Sequence, residues 1–193
     1  YKRQYQGDFL LITGPNGGGK TSLLRTILRL QSPTKGRISF FRQGEPVSSL
    51  DMGYLPQKNS IDSRFPITVE EVVASGLMGN TQKGNTKFDS KKEIDEMLDL
   101  MGITALRNKP IGVLSGGQLQ RSLFGRALIS KPEMLILDEP ASYIDRQFGN
   151  RMFEILRDLS SNGTTIMMVS HEIEPFITLS NRNLYINHIL GDR

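Results

Sequence analysis

The sequence predicts an α/β fold: a parallel sheet built around a phosphate-binding loop, with a mainly helical insertion. Three observations predict it. Gly14-Pro15-Asn16-Gly17-Gly18-Gly19-Lys20-Thr21-Ser22 lies between an apolar run, Phe9 to Ile12, and Leu23, Leu24, Ile27 and Leu28, whose spacing fits the buried face of a helix. Two further runs, Met134 to Leu137 and Thr165 to Val169, are continuously apolar over strand length, as parallel strands covered on both faces are. Between those runs Phe148, Met152, Ile155, Leu156 and Leu159 mark a crossover helix, and such β-α-β alternation builds a parallel sheet.

Strand, glycine loop and helix form the setting that a phosphate-binding loop needs. Glycines allow a close backbone approach that a Cβ forbids, so successive N–H groups can turn inward around an anion at the positive end of the helix. Lys20 then reaches β- and γ-phosphates, the Thr21 hydroxyl is placed for Mg²⁺, and Ser22 can add a phosphate hydrogen bond.

The bulk numbers admit this reading without demanding it. A chain of 193 residues can bury a real core as one domain or one domain with a subdomain. Apolar content of 37% and charged content of 23% are ordinary for a globular protein. The formal charge of +4 permits an anionic partner, but a solvated scatter of Lys and Arg explains it equally well. There is no cysteine, hence no disulfide framework and no thiolate metal site. No apolar run approaches the roughly 18 residues of a membrane span and no signal peptide opens the chain, which reads as a cytoplasmic protein that meets a membrane only through a partner.

Taken in order, Tyr1 to Gln6 is polar and Gly7-Asp8 turns directly into the first strand, which predicts that an N-terminal segment has been lost. Ser32 to Gly36 reads as a turn, Arg37 to Phe41 as a short strand, and Met52 to Leu55 as another, stopped by Pro56. Thr68 with Glu71 has capping-box form, carrying Val69, Val72 and Val73 inward. Gly79 to Ser90 reads as an exposed basic loop, and Ser90 with Glu93 as the cap of an amphipathic helix bearing Ile94, Met97, Leu98 and Met101. The insertion spans 68–129, with the core at 1–67 and 130–193. The eight methionines fall largely on predicted core faces, so packing accounts for them better than metal binding.

A second constellation, Leu114-Ser115-Gly116-Gly117-Gln118, precedes a helix bearing Leu119, Leu123 and Ala127. A capping box of Ser115 and Gln118 explains its ends, but two adjacent glycines weaken a helix start unless something must approach the backbone there. A second phosphate contact is such a reason.

These residues resemble the ATP-binding cassette ATPases. The pentad is similar to that family's signature, and Met134-Leu135-Ile136-Leu137-Asp138-Glu139 to its second nucleotide motif. Gly53-Tyr54-Leu55-Pro56-Gln57, Asp62 and Phe65-Pro66-Ile67-Thr68-Val69 most resemble the ATPase subunits of bacterial zinc, manganese or iron importers. The resemblance implies a P-loop NTPase (RecA-like) core that binds ATP with Mg²⁺. Asp138, at the end of an apolar strand, would hold Mg²⁺, and Glu139 would deprotonate the attacking water, although a pair of acids capping the next helix is the bland alternative. Gln57 matches the family's glutamine loop, which implies a Mg²⁺ ligand that senses γ-phosphate through the metal and water. His171 matches its switch histidine, while His188 has no such context. Asp145 resembles the loop through which one subunit touches its partner's nucleotide; Ile144 stands where the family more often has leucine.

Family members also stack adenine on an aromatic residue well upstream of the glycine loop. Tyr1 and Tyr5 lie too close to match, so no such residue is carried over. The resemblance further implies a head-to-tail pair, in which Ser115, Gly116, Gly117, Gln118 and Asp145 of one copy close over ATP held by Gly14 to Ser22 of the other. A polytopic transmembrane permease and a separate substrate-binding protein would complete an importer of a divalent metal or metal chelate, with the ATPase peripheral on the inner face of the cell membrane and no nucleic acid as partner. A soluble ATPase of the same type in a nucleic-acid or ribosome machine is the alternative.

Overall fold

The computed structural model describes residues 5–57, 65–78, 87–171, 174 and 176–187. Tyr1, Asp62 and His188 lie outside them, as does most of the 79–90 loop. A five-stranded parallel sheet is formed by β1 (Phe9–Thr13), β4 (Met52–Leu55), β5 (Met134–Asp138), β6 (Thr165–Val169) and β7 (Arg182–Tyr185), in the order β4-β5-β6-β1-β7. A two-stranded antiparallel ribbon, β2 (Phe40–Arg42) and β3 (Glu45–Val47), stands apart.

Period-2 alternation in the central strands divides their side chains between two cores. Ile12, Met134, Ile136, Met167 and Val169 face α1 (Lys20–Ile27), where Leu24 and Ile27 are buried. Phe9, Leu11, Leu135, Leu137, Ile166 and Met168 face the other way, onto Phe148, Met152 and Leu156 of α5 (Arg146–Ser161). Both faces being covered is why these strands are almost purely apolar. The second core runs on without a break into α2 (Val69–Ser75), α3 (Lys87–Leu100) and α4 (Gly116–Leu128), through Val69, Val73, Leu98, Leu123 and Phe124.

Thr68 caps α2 as predicted: its Oγ1 accepts from Glu71 N, and the Glu71 carboxylate accepts from Thr68 N at 2.8 Å. Three expectations differ from what is observed. Helix α3 begins at Lys87, three residues before the expected cap at Ser90, because nothing between them is a glycine or proline that would stop a helix. The strand expected over Arg37 to Phe41 starts only at Phe40 and turns back through Gln43 and Gly44, both at positive φ, as a two-residue hairpin turn requires. β3 and β7 were not expected, since Pro46 and the polar alternation of Arg182-Asn183-Leu184-Tyr185 mask them.

This topology gathers the carboxyl ends of β1, β4, β5 and β6 along one edge of the sheet. Ligands bind at that edge in open parallel sheets, next to the place where strand order reverses. Here the reversal lies at β1, which is flanked by β6 and β7.

Candidate active site

The glycine loop leaves the end of β1 and enters α1. Gly14 has φ 141, and a Cβ on it would lie 1.9 Å from the Ile186 carbonyl oxygen. Only glycine lets β7 close against the loop at that distance. Gly19 has φ 94 and caps α1 with no side-chain hydrogen bond, so the helix presents its first N–H groups to the loop's interior. Lys20 is only 6% exposed, and its Nζ donates to the Gly14 and Pro15 carbonyls, both at 2.9 Å. A buried ammonium folded onto backbone carbonyls at a helix N-terminus concentrates positive charge where a polyphosphate fits.

Behind the loop, Thr21 Oγ1 donates to Asp138 Oδ2 at 2.9 Å. Asp138 is 1% exposed, and burial raises its carboxyl above the usual range; the Thr21 hydroxyl and the charges of Lys20 and Arg25 oppose this, while Glu139 adds to it. Burial, then Asp138 itself, likewise raises the Tyr54 phenol on β4. A hydroxyl and a carboxylate converging beside a phosphate loop are hard oxygen donors, and they fit Mg²⁺.

Glu139 follows with φ 52 and its N–H bonded to the Val169 carbonyl at 2.9 Å. The left-handed turn takes its side chain off the strand line. Gln57 Nε2, from the end of β4, donates to its Oε2 at 3.3 Å, and His171 Nε2, just past β6, lies 3.2 Å from its Oε1. Three strand ends thus converge on one carboxylate. Gln57 belongs here with Glu139, and its hydrogen bond is not to the Thr21–Asp138 pair beside which it was expected as a metal ligand.

The signature residues form a separate place. Ser115 caps α4, accepting from Gln118 N at 3.3 Å while Gln118 Oε1 accepts from Ser115 N at 3.0 Å. Together with Gly116, Gly117, Arg121, Tyr143 and Asp145 they line an open cavity of about 520 Å³, to which no residue of the glycine loop contributes. Asp145 caps α5 through Phe148 N at 2.9 Å and pairs with Arg121, and these bonds hold its carboxyl below the usual range. Arg121 and the neighbouring Gln120 were missed in the sequence; their spacing from Gly117 at i, i+3 and i+4 was the available signal.

Phosphoryl transfer is the chemistry that fits a phosphate cradle, a carboxylate–hydroxyl pair suited to Mg²⁺ and a glutamate held between an amide and an imidazole. The protein is therefore a nucleoside triphosphatase of the P-loop class. The ABC transporter family profile matches residues 3–142. The chain belongs to that family, and it is an ATP-binding cassette ATPase.

Among its relatives, a probable metal transport system ATP-binding protein of Chlamydia pneumoniae is 40% identical over 190 residues, covering 96% of this chain and 77% of that protein. A zinc uptake system ATP-binding protein of Listeria monocytogenes is 38% identical, covering 96% of this chain and 72% of that protein. A solved cassette dimer in a post-hydrolysis state with ADP and Pi superposes with TM-score 0.82 at 25% identity, covering 96% of this chain and 84% of that one. A metal-chelate type ABC transporter in an inward-facing conformation gives 0.75 at 28%, covering 95% and 70%.

Proposed function

We propose that the protein hydrolyses Mg-ATP as a head-to-tail pair and thereby powers import of a divalent metal or metal chelate through a polytopic membrane permease. The observation that carries the reading is Glu139, held between Gln57 and His171 beside the Lys20–Thr21–Asp138 group. Gly14 to Ser22 bind the phosphates, and Thr21 and Asp138 would hold Mg²⁺, which neutralises charge on the β- and γ-oxygens. Glu139 takes the proton of the attacking water, Gln57 and His171 fix the carboxylate, and Lys20 opposes the charge that builds on the leaving phosphate.

The separation of the two half-sites supports pairing. Ser115 to Gln118 and Asp145 line a cavity that excludes their own glycine loop, so a second copy is the natural source of a nucleotide there. The names of the relatives support a metal or metal chelate as cargo, and a separate substrate-binding protein is the further partner that this reading calls for. Among the described residues there is no group of three or more His, Asp and Glu that could hold a metal ion. No described helix is long and apolar enough to cross a membrane. The relatives' names, as ATP-binding proteins of transport systems, support a subunit at the inner face, on its permease.

The test is to tag the full-length protein in its native cells, solubilise the membranes in mild detergent and identify what co-purifies. A stoichiometric polytopic membrane protein, with cellular uptake of radioactive zinc or manganese abolished by Lys20→Ala, is the expected result. Soluble partners alone would overturn the transport reading.

A further inference from the structure

The face of α4 that carries Gly117, Gln120 and Arg121 lies against the loop that follows Glu139. A Cβ on Gly117 would sit 2.8 Å from the Tyr143 carbonyl oxygen. Arg121 pairs with Asp145 and stacks 4.5 Å over the Phe148 ring. Gln120, 1% exposed, donates from Nε2 to the Pro140 carbonyl at 3.1 Å. Of these contacts the glutamine's is nearest the reacting group, because Pro140 directly follows Glu139.

Packing does not account for an amide at this position. Among the described residues the buried Gln120 Oε1 has no hydrogen-bond partner. An unpaired buried acceptor is destabilising, and an apolar side chain of the same length would avoid it. What the amide supplies is a donor to the backbone just beyond Glu139. That backbone needs holding: at φ 52 Glu139 is left-handed, a conformation that a residue with a Cβ keeps only when its surroundings enforce it. The Val169 carbonyl anchors Glu139 at its own N–H, and Gln120 anchors the chain on the other side.

We propose that Gln120 is a positioning residue for hydrolysis: its buried amide holds the Pro140 carbonyl and, through it, the aim of the Glu139 carboxylate at the attacking water. This deepens the ATPase reading above and rests on it.

Gln120→Met keeps the length of the side chain and removes the amide. In the full-length protein the kcat for ATP falls about ten-fold while KM stays within about two-fold, as expected when a reacting group is misplaced without loss of binding. Tm changes little, because the bond lost at Pro140 is offset by removal of the unpaired Oε1. A lower Tm with unchanged kcat per active molecule would show a structural role only and overturn the proposal.

Mixed dimers then locate the effect. One full-length chain carries Glu139→Gln, leaving only its partner's Glu139 to turn over. The rate loss is about five-fold greater with Gln120→Met on the chain that keeps Glu139 than with it on the silenced chain. Equal losses, or a greater one from the silenced chain, would mean that Gln120 acts through the start of α4, and would refute the assignment. Ser115→Arg on the silenced chain tests the head-to-tail arrangement separately. If turnover survives it, the pairing is wrong, and Gln120 is judged on kcat, KM and Tm of the uniform protein alone.

Discussion

Glu139→Gln replaces one carboxylate oxygen by an amide nitrogen and changes almost nothing else. The backbone at φ 52 disfavours glutamate and glutamine alike, so the fold is not penalised. An amide can still accept from Gln57 Nε2, 3.3 Å away, and donate to His171 Nε2, 3.2 Å from the other oxygen, provided that nitrogen is unprotonated. On the proposed mechanism only proton abstraction from water is lost. A positioned general base contributes about 10²- to 10⁴-fold, equivalent to roughly 3 to 5 kcal/mol of barrier. Turnover measured as phosphate release should therefore fall by at least about a hundred-fold, with ATP affinity by fluorescent-nucleotide titration within about two-fold. ATP should also shift the variant to a stable dimer by size exclusion, since hydrolysis no longer releases it. Phosphate release at the wild-type rate would refute the assignment of the base, and lost affinity would mean that Glu139 shapes the nucleotide pocket instead.

Three other substitutions probe the site and its frame. Gly14→Ala places a Cβ 1.9 Å from the Ile186 oxygen at a φ of 141, so β7 must move; a cost of about 3 kcal/mol, or a Tm lower by roughly 6–12 °C, is expected by calorimetry, with ATP binding lost. Thr21→Val keeps the shape but removes the hydroxyl bonded to Asp138, and should raise the Mg²⁺ concentration needed for half-maximal hydrolysis by about ten-fold, read from a Mg²⁺ titration at saturating ATP. Arg42 pairs with Glu133 through two hydrogen bonds, of 2.7 and 2.6 Å, and holds that carboxyl below its usual range. A depressed carboxyl gives stability that is present above the unfolded pKa and lost as pH falls through the folded one. The half-exposed pair is also screened by salt. Arg42→Met should thus lower the urea midpoint slightly at pH 7 and progressively less as pH falls below the usual carboxylate range, and an effect undiminished by acid would show that packing, not charge, is responsible.

The parts of the fold legible in the sequence are those whose cause is local. β1, the glycine loop and α1 announce themselves because an apolar run, a glycine cluster and a helical period follow one another within twenty residues. Thr68 and Ser115 are readable as caps since each capping box spans only four residues. Asp138 and Glu139 were found through their strand, but that Glu139 meets Gln57 and His171 depends on pairing β4 with β5 and β5 with β6, which no local pattern encodes. Gln120 shows the limit most clearly. In sequence it is one more polar residue near a helix start, and its burial appears only when residue 140 is brought beside it.

The placement of β1 also bears on how the chain comes off the ribosome. Its neighbours β6 and β7 come last in sequence among the described strands, so Phe9 to Thr13 has neither of these partners until the ribosome has passed residue 165. At typical elongation rates of about 5–20 residues per second, that interval lasts roughly 10–30 s. Throughout it the nascent chain carries an unpaired, strongly apolar strand, open to wrong partners and to chaperones. Because the glycine loop is shaped against Ile186, beyond β7, a nascent chain that stops short of that residue lacks the backbone against which the loop closes.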